Sequence, residues 1–273
     1  MSAQPKLTDR AALLRNRARA SRAPADFLHE VASEEAQDRL ALVNRRFTSP
    51  AVISGFPALW EDFLPGLTLV ADEDVLDLQS ANHDLVIHAM ALHWSDDPVG
   101  QLIQARHALR PDGLFLGFTL GGQTLHELRA CLASAEAEVT GGLSPRVLPM
   151  AEIRDLGALL QRAGFALPVA DSLPLTVSYA SALHLMQDLR AMGEANALAA
   201  RARHLTRRGI LLRAAQLYAD RFATADGRVQ ATFEVITLTG WAPDSSQPKP
   251  LRPGSAAQRL ADALGTQETP LKD

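Results

Sequence analysis

One cysteine, Cys131, is all that the 273 residues contain, so neither an internal disulfide nor a multi-cysteine metal cluster can be built. No uninterrupted apolar stretch approaches the roughly 18 residues that a membrane-spanning helix needs, and the start shows no secretory apolar run. Positive charge is not in excess either. Against 31 Asp and Glu stand 27 Lys and Arg, a formal net charge of -4, which gives no reason to expect nucleic acid as a partner. A Ser-His-Asp spacing, a Walker loop and an internal repeat are all missing. His29-Glu30 starts like a zinc-protease motif, but Ser33 stands where the second His must fall, so no metal site is expected. What remains is the expectation of a soluble, cytoplasmic protein, long enough for one large α/β domain with a sizeable core.

The most informative stretch runs from Asp84 to Gln123. An apolar run, Leu85-Val86-Ile87, leads through the bend His93-Trp94-Ser95-Asp96-Asp97 into an amphipathic segment, Pro98 to Leu109. The turn Arg110-Pro111-Asp112-Gly113 follows, then a second apolar run, Leu114 to Leu120, ending in Gly121-Gly122. Strand, crossover helix and strand at this spacing make a βαβ unit, whose strands read as continuous apolar runs because both faces are buried. Ligands in open parallel sheets bind at the carboxyl ends of the strands. Those ends are Ala89-Met90 with the His93-Trp94 bend, and Leu120-Gly121-Gly122.

DLVIHAMALHW, LRPDG and GGQTLHELR resemble the fourth and fifth strands of class I S-adenosylmethionine (SAM) methyltransferases. Their wording is similar to the respiratory complex I assembly-factor branch and, more distantly, to the acyl-carrier methyltransferase of biotin synthesis. SPRVLPM, DLGALLQRAGF, DLRAMGEANA and TGWAPDSSQPKPLRPGSA continue the resemblance, which covers about Val70 to Ala256 and, more loosely, LTDRAALLRNRARA and FLHEVA near the start. It implies an α/β fold: a Rossmann-like, mostly parallel sheet with an antiparallel edge and a helical insertion over the site at about 181–222. The domain then spans 49–241, with N-terminal helices at 1–48 and a tail at 242–273. SAM is the cofactor that the resemblance implies. Gly55, Asp72, Ala89 and Met90 are the positions that would face it.

One stretch departs from that pattern. A SAM site needs a first strand followed by an acidic, glycine-rich loop that lets backbone approach the cofactor. Here Ala51 to Ser54 is the strand, Ile53 stands where the acid would fall, and only Gly55 remains of the glycines. Phe56 adds bulk and Pro57 removes an N–H, which suits the first turn of a helix rather than a ligand-wrapping loop. Gly55 to Gly66 and Ala71 to His83 are each close to the ~10–12 residue minimum for a crossover. Three strands should precede the one at Leu85, and there is room for two, so the first half of the sheet is shortened. Asp72, in VADEDVLDL, is then either the adenine-facing acid or the ribose-holding acid at the end of the second strand. Its bland reading is a solvated turn.

The rest reads as alternating helices and strands. Met1 to Arg22 is either a transit peptide or basic arm, or a surface helix capped by Thr8 or Asp9 with Arg15, Arg19 and Arg22 along it. Phe27 to Phe47 is a helix. Thr124 to Glu127 has the form of a capping box for a helix ending at Gly141-Gly142. Ala151 to Ala163 is helical with Gly164 as its cap, Leu167 to Tyr179 is a strand, and Ser181 to Met192 is a helix. Asn196 to His204 is a basic helix or loop, Gly209 to Phe222 a helix and Val229 to Trp241 the last strand. Arg201, Arg203, Arg207 and Arg208 meet either an acidic partner or only solvent. Ala256 to Leu264 is weakly helical within a mobile tail.

Among site candidates, His93 and Trp94 form either a substrate-facing wall or a structural turn. Gly121, Gly122 and Gln123 either admit a substrate closely or make a loop-to-helix turn. His88 lies inside its strand, as a core or cleft-lining histidine. Asp96 and Asp97 precede Pro98 as a helix cap. Two functions of different class follow. One is a methyltransferase-fold protein, degenerate in SAM binding and holding no cofactor, that acts on or assembles a protein client such as a respiratory complex I subunit. The alternative is an active SAM-dependent methyltransferase modifying a protein side chain. Phe56 in the methionine pocket would favour the first; a cavity reached by Asp72 and Met90 would favour the second.

Overall fold

Strands rich in apolar residues and buried along their whole length, Pro50–Ser54 and His83–Ala89, give the centre of the sheet. The computed structural model describes residues 6–248 and 265–266, and divides the chain into the units Met1–Pro243 and Asp244–Asp273. In the first unit, β1 (Pro50–Ser54), β2 (Thr68–Ala71), β3 (His83–Ala89), β4 (Leu109–Leu120), β5 (Ala166–Tyr179) and β6 (Val229–Trp241) form one sheet in the order β2-β1-β3-β4-β6-β5. β1 to β4 are mutually parallel; β6 runs antiparallel between β4 and β5. This is a mostly parallel sheet with an antiparallel edge. Two strands, rather than three, precede β3.

Successive strand residues point to opposite faces, and the two cores follow that alternation. Val52, Leu85, Ile87, Leu114, Leu116 and Phe118 face one way, under α2 (Phe27–Leu42), α4 (His126–Thr140), α6 (Ala182–Ala191) and α7 (Arg208–Phe222). Ala51, Ile53, Val86 and Phe115 face the other, under α3 (Pro98–Ala108) and α5 (Ile153–Ala163). No α-helix covers the step from β1 to β2 or from β2 to β3; the first holds only a 3-10 turn, Pro57–Leu59, with the proline in its first turn. Among the described residues no helix is long and apolar enough to cross a membrane.

Several local expectations are corrected. α2 ends at Leu42 rather than Phe47, because the backbone N–H groups of Thr48 and Ser49 donate to the Asp84 carboxylate at 2.7 and 2.9 Å and hold the chain extended into β1. Arg110 to Gly113 is not a free turn. β4 already pairs with β3 at Leu109, and the residues fold into a bulge in which Asp112 has φ +59°. The capping box does not form. Thr124 Oγ1 donates to Gly121 O and accepts from the Glu234 N–H, and Glu127 accepts from Thr232 Oγ1 at 2.6 Å, so both side chains are spent on neighbouring strands. Of the two readings of Asn196 to His204, helix or loop, the structure shows the loop, in which Arg201 pairs with Asp9 at 2.9 Å. Of the two aspartates before Pro98, only Asp97 caps α3, accepting from the Gly100 N–H. In the second unit, Asp244 closes a turn by accepting from the Ser246 N–H at 2.8 Å. The helix expected over Ala256 to Leu264 lies outside the described residues.

α4 is pinned at its C-terminal end by Glu136, which takes Arg146 Nε at 2.8 Å and Nη2 at 2.6 Å. The Arg146 hydrogen bonds push the Glu136 carboxyl down to about 2, from an ordinary value of 4.5. A carboxylate lowered on folding stabilises the protein fully above its unfolded value and loses that contribution as pH falls through the folded one. Glu136→Gln should therefore destabilise clearly at neutral pH and much less near pH 3, measured by urea unfolding. An equal difference at both pH values would sink this assignment.

Candidate functional site

The site is built where β1, β2 and β3 end, and an unexpected element occupies it. α1 (Arg10–Ala20) is sewn onto that edge from both sides. Asp96 Oδ1 accepts from the Leu7 and Thr8 N–H groups at 2.8 and 2.9 Å, and Thr8 Oγ1 donates to Trp94 O at 2.7 Å. The Asp9 N–H donates to Ala197 O, and Asp9 caps the helix by accepting from the Ala12 N–H. Ala12 and Leu13 then bury against Trp94 and Leu198. Arg15, Arg19 and Arg22 are exposed as expected, but Arg17 is not; it is buried and points into the sheet edge.

Arg17 Nη1 lies 2.8 Å from both oxygens of Asp72, and Arg10 Nη2 lies 2.9 Å from Asp72 Oδ1. Asp72 directly follows β2, the second strand along the chain and the neighbour of β1 in the sheet. Burial pushes its carboxyl up, but Arg10 and Arg17 outweigh burial and hold it below the usual range. The backbone cradle of Gly55 is filled by the same Arg17 guanidinium, against which any Cβ would collide. Arg17 Cζ sits 5.9 Å from the centre of the Phe56 ring, and that ring meets His29 edge-on at 5.4 Å. The cavity that Asp72 reaches, with His88 and Gln101, holds about 30 Å³, room for about one water. Met90 does not line it. Lys6, Asp74, Ser95, Asp96 and Gln101 also border a more open groove of about 260 Å³ beside it.

A second group lies on the other side of the His93-Trp94 bend, which is a 3-10 turn, Leu92–Trp94. Gly193 follows the end of α6 at φ +80°, a left-handed cap that lets the Glu194 N–H return to Leu189 O. That turn brings Glu194 beneath the bend. Glu194 Oε2 accepts from Trp94 Nε1 at 2.7 Å and is 3.2 Å from His93 Nε2. With a proton on Nε2 for the carboxylate, His93 Nδ1 accepts from the Thr119 hydroxyl, 3.3 Å away. Burial raises the Glu194 carboxyl, and His93, Arg17 and the Trp94 indole bring it below its ordinary value. Trp94 and Glu194 line a cavity of about 200 Å³ whose other walls include Leu125, Leu128, Leu132 and Met150.

The expected residues therefore divide. His93 and Trp94 meet in the Glu194 group, with Trp94 in the cavity wall. Gly55 and Asp72 meet at Arg17. Ala89 and Met90 are buried at the end of β3, where the Met90 N–H donates to Phe118 O. Gly121, Gly122 and Gln123 line none of these cavities; Gln123 N–H donates to Glu234 Oε2 and Gly122 N–H to Ala151 O, so they make the loop-to-helix turn. His88 shares a hydrogen bond with Gln101 at 3.3 Å, its Nδ1 has no partner, and burial pushes the ring down to about 4. Arg17 and Glu194 were missed. Neither spacing nor patterning marked them, since each acts on residues far along the chain.

No family model matches the chain. It is 40% identical over 199 residues to a Danio rerio protein named "Arginine-hydroxylase NDUFAF5, mitochondrial", a match over 73% of this chain and 62% of the relative. It is 37% identical over 173 residues to the malonyl-acyl-carrier-protein O-methyltransferase of Laribacter hongkongensis, covering 63% of this chain and 56% of that one. The chain thus matches less than two thirds of the length of these relatives. Among solved structures it is similar to the YcgJ protein of Bacillus subtilis, with a TM-score of 0.49 and 10% identity over 77% of this chain and 98% of that one. The mitochondrial relatives overturn the expectation of a cytoplasmic protein, which composition alone had suggested.

Proposed function

We propose, from the premise that this chain is a class I methyltransferase-like relative of the NDUFAF5 arginine hydroxylases and the malonyl-acyl-carrier-protein O-methyltransferases, that it works on or assembles a protein client of the respiratory complex I type without a normal SAM site. The observation that carries this reading is the capture of Asp72 by Arg10 and Arg17. An acid whose two oxygens are spent on guanidinium groups is not free to bind ribose hydroxyls. The Gly55 cradle is filled, Ile53 is buried where an acid would be needed, and about 30 Å³ at Asp72 is far below the ~300 Å³ from which small-molecule pockets begin. The residues present do not fit SAM. The NDUFAF5 relatives are named arginine hydroxylases, and an arginine side chain of a protein is a client of that kind.

A second reading, a SAM-dependent methyltransferase that modifies a protein side chain, is favoured by one observation: the groove of about 260 Å³ beside Asp74 remains open. Calorimetric titration with SAM and with S-adenosylhomocysteine separates the two. No heat and no thermal stabilisation at millimolar ligand is the expected result. Micromolar binding would remove the first reading and turn the search to the methyl acceptor.

A further inference from the structure

We propose that the cavity beneath Trp94 is a receptor for an arginine side chain presented by another protein, with Glu194 as the anion that meets its guanidinium. This rests on the reading of a protein client and assigns the place and the residue that would recognise it. The walls Leu120, Leu125, Leu128, Leu132, Met150 and Leu189 make an apolar barrel of about 200 Å³, suited to an aliphatic stem. A carboxylate at the end of such a barrel costs free energy unless a cation completes it. Both hydrogen bonds that Glu194 accepts, from Trp94 and His93, fall on Oε2; Oε1 accepts none among those described.

Charge points the same way. Behind the bend, Asp72, Glu73 and Glu194 are three carboxylates against the two guanidinium groups of Arg10 and Arg17, and both arginines pair with Asp72. Among the described hydrogen bonds, neither guanidinium donates to Glu194. Arg146 also borders the cavity, but Glu136 holds it through Nε and Nη2, and Thr206 takes Nη1. The Trp94 indole in the wall offers a π face for a planar cation, which favours guanidinium over ammonium. A malonyl carboxylate, by contrast, would bring like charge against Glu194.

The test uses the full chain and capped Gly-Arg-Gly, Gly-Lys-Gly and Gly-citrulline-Gly peptides, with malonyl-pantetheine as the anionic probe, followed by calorimetry. Saturable binding of the arginine peptide is expected. Citrulline keeps the shape and loses the charge, so it should bind about tenfold more weakly or worse, and Glu194→Gln should impose a similar loss on the arginine peptide. Met186→Trp, which fills the barrel from a partly buried wall position without touching the carboxylate, should also abolish binding and decides the matter if the Gln variant does not fold. Equal binding of citrulline and arginine, an unaffected Glu194→Gln variant, or preference for malonyl-pantetheine would overturn the proposal. If the arginine peptide fails to bind while a complex I subunit still co-purifies with the chain, the receptor is wrong and the client reading stands. If the peptide binds and no such subunit is retained, the reverse holds.

Discussion

Asp72→Ala is expected to destabilise the protein by about 3–5 kcal/mol, because it leaves the Arg17 guanidinium buried without its counter-ion. The side chains of Asp72 and Arg17 are only 6% and 5% exposed, so water cannot replace the lost partner. Glu73→Ala is the internal control. Glu73 is 55% exposed in its pair with Arg10, and its loss should cost no more than about 1 kcal/mol. Replacing the pair together, Asp72→Ala with Arg17→Met, should recover much of the loss, since an apolar residue needs no counter-charge. The pH dependence has a defined sign. The Asp72 carboxyl is lowered by folding, so its contribution is complete above the unfolded value of 3.8 and fades as pH falls through the lower folded value. Urea unfolding of the four proteins measures all of this. A loss under about 1 kcal/mol for Asp72→Ala would mean that α1 is not locked at the strand ends as described.

Gly193→Ala should cost about 2–4 kcal/mol, from two separate causes. The residue has φ +80°, where any Cβ is strained, and that Cβ would stand 2.7 Å from Phe56 Cζ and 3.2 Å from Arg17 Cγ. Truncating Phe56 removes one cause and leaves the other. The double variant Gly193→Ala with Phe56→Ala should therefore be more stable than the sum of the single losses, by a measurable coupling. Strict additivity would show that the Phe56 ring does not press on this turn. Because Gly193 sets the direction of Glu194, the single variant should also weaken binding of the arginine peptide.

The loop from Gly55 to Pro57 shows where sequence reasoning reached a correct structural conclusion for a local reason. Proline cannot donate and holds φ near -65°, and Pro57 does open the first turn of a short 3-10 helix. What fills the vacated cradle was not legible, because Arg17 arrives from 38 positions upstream (55 less 17) and nothing near Gly55 announces it. The capping-box pattern failed for the same kind of reason. Thr124 and Glu127 had the right spacing, yet β6 offered Glu234 and Thr232 as partners for both.

By itself, then, the sequence determined the βαβ centre, through runs and periods among neighbouring residues whose apolar alternation and turn-forming residues leave few other ways to bury surface. The shortened first half and the antiparallel end of the sheet were what the family resemblance implied. Only the tertiary structure decided that Asp72 is spent on α1 and that Trp94 and His93 converge on Glu194. Those partners lie 55 and 100 positions apart for Arg17–Asp72 and Trp94–Glu194, and charge pairing across such distances leaves no period in the chain. It exists only once packing has brought the strand ends, α1 and the turn after α6 to one edge.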